Sequence, residues 1–173
     1  MTGQFLPPEA LSPDGYIIDQ GRMRGVRYGR FGSDYNGCGW IAAYNLLRRC
    51  GKELSPEQTR DALGKKLRLG GRFGTLPLAL RKFLRRYLPV SLKLCGKRRF
   101  ARLAASPGIL LYWTGRSAHN VCFSPCEHDG RILLCNAEYG KCGHCAMPEE
   151  FWERYVRFPF ALIFTVSADG RPT

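Results

Sequence analysis

The sequence has few acidic residues, only three histidines and no long apolar run. No stretch approaches the roughly 18 apolar residues that a membrane-spanning helix needs, so we expect no membrane span. The first eight residues lack both the basic start and the apolar run of an export signal, which favours a cytoplasmic location. No internal repeat is found. These absences leave a chain of 173 residues, long enough for one domain with a proper core.

The shortage of acids is concentrated in one part of the chain. Lys and Arg number 27 against 14 Asp and Glu, a net charge of +13. Residues 48–102 contain 17 of the basic residues and three of the acidic ones, so this block carries the whole imbalance. Such a block indicates a basic face towards an acidic substrate, a partner, a nucleic acid or a membrane surface. A solvated basic surface without a dedicated partner is the alternative.

Eight cysteines are present, unevenly spaced. Without an export signal this favours reduced thiols, a metal site or catalysis over a disulfide framework. Cys38 follows the turn dipeptide Asn36-Gly37, precedes Gly39, and leads into the apolar run 41–47, which predicts a buried helix. A cysteine at a helix start has a lowered pKa and is a better nucleophile, although a cysteine that only packs is the simpler interpretation.

The fold prediction depends on the spacing of the apolar residues, which changes along the chain from a helical period to a strand period. Helix patterns begin at Cys38, Ser55 and Thr75, and strand patterns fill most of the second half. Ser55 with Glu57 or Gln58 predicts a capping box for a helix that runs to about Leu69, and Thr75 is the predicted cap of the next helix. We therefore expect an α+β fold in which N-terminal helices pack on one face of a C-terminal antiparallel sheet. Residues 1–173 form a single domain in this prediction, with residues 1–15 as a loosely ordered arm. The other predicted elements are helices at 97–104 and 148–152 and strands at 90–94, 109–113, 119–123, 131–135 and 160–166.

A nucleophilic cysteine needs a base, and the base needs a group that orients it. His119 begins an apolar strand, whereas His128 lies in a predicted turn and His144 lies between two cysteines. Asn136 ends the next strand, and an antiparallel hairpin would bring it beside His119. An amide there can fix one imidazole nitrogen and leave the other for the Cys38 thiol.

In this order and setting, Cys38, His119 and Asn136 resemble the catalytic residues of a papain-like cysteine peptidase. The small size and the spacing are most similar to the leader-peptide (double-glycine) peptidase domain of bacterial bacteriocin exporters and its free-standing relatives. The resemblance covers residues 33–166. It implies peptide or amide hydrolysis with Cys38 as nucleophile, His119 as general base and acid, and Asn136 as the orienting residue, and it implies no required cofactor.

One position departs from the family pattern. The family usually has a glutamine six residues before the cysteine to help hold the oxyanion, and here that residue is Gly32. The side-chain amide of Asn36 together with the backbone N–H of Cys38 is the predicted substitute.

The remaining cysteines suggest a second kind of site. Cys122 and Cys126, with Cys142 and Cys145, provide two pairs of the sort that hold structural zinc, and free thiols in a loop are the alternative. Cys50, Cys95 and Cys135 are most simply packing residues.

Three functions remain open. The first is a papain-like hydrolase acting on a peptide or protein substrate, which would be acidic if the basic helices line the cleft. The second is an inactive papain-like binding module that uses its basic face. The third is a zinc-stabilised nucleic-acid binder, which only the charge, the interspersed aromatics and the loop cysteines support.

Overall fold

The computed structural model describes residues 5–127, 129–137 and 144–167, with the backbone alone at His144. Within these residues there are six α-helices and eight strands. The helices are α1 (Ser33–Asn36), α2 (Cys38–Arg49), α3 (Pro56–Gly64), α4 (Pro77–Leu84), α5 (Lys97–Leu103) and α6 (Pro148–Tyr155). The strands are β1 (Arg27–Tyr28), β2 (Phe31–Gly32), β3 (Val90–Cys95), β4 (Gly108–Trp113), β5 (Ala118–Pro125), β6 (Ile132–Cys135), β7 (His144–Ala146) and β8 (Ala161–Val166). Short 3₁₀ turns lie at Pro8–Ala10, Gln20–Arg22 and Leu69–Gly71.

Six of the strands form one sheet in the order β3-β8-β4-β5-β6-β7, and every neighbouring pair is antiparallel. The two short strands β1 and β2 form a separate antiparallel hairpin. The predicted α+β class and the antiparallel sheet are confirmed. Among the described residues, no helix combines the length and the apolar content that crossing a bilayer requires.

The helices lie on both faces of the sheet. The N-terminal helices α2, α3 and α4 share one core, as predicted, whereas α5 and α6 belong to the core on the opposite face, which was not predicted. Successive residues of β4 belong to different cores: Ile109 packs with the α2 side, and Leu110 packs with Phe100 of α5 and Phe151 of α6. Side chains alternate between the faces of a strand, and β4 is apolar on both. The apolar run 109–111 is therefore the sign of a sheet covered on both sides.

The N-terminal segment is packed, which contradicts the predicted loose arm for residues 5–15. Leu6 and Ala10 are buried in the same core as α2. Asn45 of α2 fixes the next stretch, because its Oδ1 accepts from the Ile17 N–H at 2.9 Å and its Nδ2 donates to the Ile17 carbonyl at 2.7 Å. The buried side-chain amide of Asn45 thus provides the hydrogen bonds that the Ile17 backbone would otherwise need from a neighbouring strand. Residues 1–4 lie outside the described residues.

The starts of α3 and α4 can be compared with the capping residues that the sequence predicted. Ser55 and Gln58 form the predicted capping box of α3, with bonds of 2.9 and 3.1 Å. This helix ends at Gly64, earlier than predicted. Thr75 does not cap α4, because its hydroxyl bonds the Tyr28 hydroxyl at 2.6 Å and the helix begins at Pro77.

Candidate active site

Cys38 is the first residue of α2 and is partly exposed. The glycines on both sides are required by close packing. A Cβ at Gly37 would lie 2.4 Å from the Ser33 carbonyl oxygen, and one at Gly39 would lie 2.5 Å from Cβ of Thr75. The small residues seen in the sequence therefore allow the helix start to pack tightly around a cysteine that stays partly exposed.

His119 is the second residue of β5 and is also partly exposed. Its ring packs edge-on against Tyr112 of β4, with centroids 5.8 Å apart and an interplanar angle of 86°. The Nε2 atom lies 2.8 Å from the backbone carbonyl oxygen of Asn136. A carbonyl oxygen only accepts, so Nε2 carries the hydrogen and Nδ1 is the nitrogen that remains for the Cys38 thiol.

The Cys38 thiol and the His119 ring interact, and each stabilises the charged form of the other. Burial raises the pKa of the Cys38 thiol, but the hydrogen bond and the positive charge of His119, with hydrogen bonds from Asn120, outweigh burial and lower it. Burial lowers the pKa of His119, and the bond to Cys38, the thiolate charge and the bond to Asn136 together raise it. The pair therefore favours a thiolate beside an imidazolium.

Asn136 lies beside His119, just after β6, but a different atom from the predicted one faces the ring. Its backbone is left-handed, with φ of 66°, and its carbonyl oxygen accepts from His119. Its side chain is paired with Gln20: Oδ1 accepts from the Gln20 backbone N–H at 2.9 Å, and Nδ2 donates to Gln20 Oε1 at 3.1 Å. The side chain thus holds the backbone whose carbonyl orients the imidazole.

Gln20 and Asn120 belong to the site and were not predicted. Gln20 is buried, and its Nε2 donates to the carbonyl of Asp34 at 3.0 Å. Asn120 is buried, its Nδ2 donates to Cys38 Sγ at 3.5 Å, and its Oδ1 has no hydrogen-bond partner. The signal for Asn120 was a polar residue next to His119 in an otherwise apolar strand. Gln20 lies in a segment without any pattern that marks it.

Asn36 does not have the geometry of the predicted oxyanion donor. Its amide nitrogen donates to the carbonyl oxygens of Tyr28 at 3.0 Å and Gly71 at 2.8 Å, so both amide hydrogens are used. The amide instead ties two loops together. At Gly32 a Cβ would lie 2.2 Å from Asp34 Oδ1 and 2.8 Å from the Arg24 carbonyl oxygen, which leaves no room for the family's glutamine in this conformation.

Of the four cysteines predicted as zinc ligands, the three that the structure describes do not come together as a set. Cys122 is buried in the core, and burial, with the neighbouring thiols of Cys135 and Cys50, raises its pKa well above the usual value. Cys126 and Cys145 are in contact, with sulfurs 3.5 Å apart. Cys142 lies outside the described residues, as do His128 and the His144 side chain. Within the part of the chain that is described, no group of three or more His, Cys, Asp or Glu is arranged to hold a metal.

No protein-family model matches the chain, and no curated protein matches it significantly.

Proposed function

We propose that the protein is a papain-like cysteine hydrolase that cleaves a peptide or amide bond, with Cys38 as nucleophile and His119 as general base and acid. The observation that carries the proposal is the contact between the two side chains, with the thiol pKa lowered and the imidazole pKa raised. Nucleophilic catalysis requires this pairing, together with a third group that fixes the base. The carbonyl of Asn136 supplies that third group.

The reaction would proceed through a thioester. The Cys38 thiolate attacks the scissile carbonyl carbon, and His119 gives its proton to the departing amine as the C–N bond breaks. A water molecule then attacks the thioester, His119 takes its proton, and the carboxylic acid leaves as the C–S bond breaks. The thiolate and the imidazolium are restored at the end of the cycle.

Asn120 is our candidate for the oxyanion donor in place of Asn36. Of the side-chain amides in the described residues, it is the one with a hydrogen bond to Cys38 Sγ, at 3.5 Å. The carbonyl oxygen of a bound substrate lies close to the attacking sulfur, within reach of the same amide. A buried, preorganised donor at this place stabilises the negative charge of the tetrahedral intermediate.

The test is covalent labelling with a peptide that carries a thiol-reactive electrophile, followed by peptide mapping. We expect the label on Cys38 near pH 6.5, and no label at that position in the folded Cys38→Ala variant. Cys50→Ala is the matched control, because Cys50 follows the other end of the same helix and burial raises its pKa. A label distributed over other cysteines, or unchanged in Cys38→Ala, would contradict the assignment.

Turnover separates hydrolase from binding module. Cleavage of a peptide library that is lost in Cys38→Ala supports the hydrolase. Selective labelling of Cys38 without cleavage of any library member would favour the inactive papain-like binding module.

A further inference from the structure

A cleft of about 660 Å³ opens on the α6 side of the sheet, beside His119. Its walls come from the ends of β4 and β5, from the end of α6 and from Ala137, next to Asn136. Nine described residues line it, and His119 and Tyr155 are among them. A group bound in this cleft would therefore lie next to the candidate general base.

Three of these residues are arginines, and none of the described lining residues is acidic. Arg116 lies in the turn between β4 and β5, whereas Arg154 and Arg157 lie in the last turn of α6 and just after it, so two separate parts of the chain converge on one opening. All three are exposed, and the Arg154 guanidinium lies over the Tyr155 ring at 5.3 Å. Convergent guanidinium groups create a positive potential that attracts anions.

The backbone that carries two of the arginines is well fixed. The turn that contains Arg116 is closed by Thr114, whose N–H and hydroxyl both donate to the Ser117 carbonyl at 3.0 Å. Thr114 Oγ1 also accepts from the Arg116 N–H at 3.3 Å. On the other wall, the Arg157 N–H donates to the Trp113 carbonyl at 2.8 Å. Fixed backbone lowers the entropy cost of holding a ligand between the two side chains.

We propose that this cleft binds a carboxylate of the substrate on the His119 side of the scissile bond. The planar guanidinium matches a carboxylate with two parallel hydrogen bonds, which makes arginine the usual partner of this group. The carboxylate belongs to an Asp or Glu side chain or to the C-terminus of a short peptide. That the bound ligand is a substrate rests on the proposed function.

The experiment measures binding of matched peptides carrying a neutral dye to the Cys38→Ala protein, by fluorescence anisotropy. One peptide has Glu and an amidated C-terminus, the second has Gln and an amidated C-terminus, and the third has Gln and a free C-terminal carboxylate. We expect about tenfold tighter binding for at least one carboxylate peptide over the amidated Gln peptide, the gain of one well-formed charged contact. The first and third peptides distinguish the two sources.

The double substitution Arg116→Gln and Arg157→Gln should abolish this preference. The matched control is Arg85→Gln with Arg86→Gln, which removes the same charge from an exposed part of the chain just after α4, outside the cleft. Circular dichroism establishes that each variant is folded. The inference is overturned if the parent protein shows no preference for carboxylate peptides. It is also overturned if the preference survives the cleft substitutions or disappears equally in the control. The inference is likewise overturned if short single-stranded DNA displaces the peptides and binds more tightly than they do.

The outcomes keep this inference separate from the proposed function. Lack of a carboxylate preference, with Cys38 still labelled selectively in the wild-type protein, overturns the cleft assignment alone. Arginine-dependent binding of carboxylate peptides, with no selective labelling of Cys38, supports the cleft and overturns the hydrolase.

Discussion

The charges on Cys38 and His119 depend on pH in opposite directions. The raised pKa of His119 means that the imidazolium stabilises the fold fully below the unfolded histidine pKa of about 6.5, an effect lost as pH rises through the folded value. The lowered pKa of Cys38 means that the thiolate contributes above the ordinary thiol pKa, an effect lost as pH falls through the folded value. The two pKa shifts thus widen the pH range in which the thiolate and the imidazolium are both present, and this range lies around neutral pH.

The pH dependence of Cys38 alkylation by iodoacetamide tests this pair. We expect the rate to rise with a midpoint below about pH 8.5, the ordinary thiol value. In His119→Ala the opposing effect of burial dominates, so the midpoint should move upward and the rate at pH 6.5 should fall at least about tenfold, the change for one pKa unit. Cys38→Ser gives the background, and an unchanged midpoint in folded His119→Ala would refute the pairing.

Asn120 is expected to matter more for acylation than for alkylation. Acylation of Cys38 by an activated ester passes through an oxyanion, whereas alkylation does not. Asn120→Ala should therefore slow acylation by about 10²-fold or more and alkylation by clearly less. Ser124→Ala, a buried polar residue further along the same face of β5, is the control. Equal losses in the two reactions would assign Asn120 to thiolate stabilisation only.

Asn136 allows a test of backbone against side chain. Both Asn136→Gly and Asn136→Ala lose the pairing with Gln20, but glycine tolerates the φ of 66° and alanine does not. We expect Cys38 alkylation at pH 6.5 within about threefold of the wild-type rate for the glycine variant and about tenfold slower for the alanine variant. If both variants are equally slow, the side-chain amide itself is needed, as the sequence predicted.

At the scale of elements, α2 organises the molecule from both of its ends. Its first residue is the candidate nucleophile, and Asn45 in its third turn holds the N-terminal segment through two buried hydrogen bonds. The segment in turn carries Gln20, which supports Asn136. The helix therefore fixes the nucleophile directly and the orienting carbonyl through the N-terminal segment.

Asn45→Ala should loosen the N-terminal segment. The change leaves the N–H and C=O of Ile17 buried without partners, and we expect a loss of about 3 kcal/mol in the free energy of unfolding. Urea denaturation measures the loss, and limited proteolysis should cut first before residue 20. Arg49→Ala, an exposed position on the same helix, is the control and should cost less than about 0.5 kcal/mol. Comparable losses in both variants would refute the anchoring role.

The elements themselves were largely predictable, because caps and apolar periods are local. The capping box at Ser55, the start of α2 at Cys38 and most strands followed from neighbouring residues. β7 was missed because it lies in a segment rich in Gly and Cys. The face of the sheet that α5 and α6 cover could not be predicted, since a helical period does not show on which side of a sheet the helix packs.

The residues of the candidate site could be predicted from the sequence, but the atoms through which they interact could be predicted only in part. Cys38, His119 and Asn136 were predicted from residue type and order, and the structure brings them together. The roles of the Asn136 carbonyl and of Gln20 depend on a left-handed backbone and on a contact between residues 116 positions apart. Neither leaves a periodic pattern in a single sequence.

At the scale of the whole molecule, total charge was a poor guide to the cleft. The basic block at 48–102 carries the net charge, yet none of the nine residues lining the cleft beside His119 comes from it. The arginines there come from the β4–β5 turn and the end of α6. A local arrangement of three side chains therefore decides the expected ligand, whereas the block sets only the long-range field.

The pairing of Gln20 with Asn136 also determines when the site can form during synthesis. Gln20 emerges from the ribosome long before Asn136, and the His119 ring gains its orienting carbonyl only after β6 has been made. A nascent chain would therefore expose a cysteine without a positioned base until Asn136 has been translated. In the proposed hydrolase, activity would therefore arise only after the N-terminal segment has met β6, a contact between distant parts of the chain.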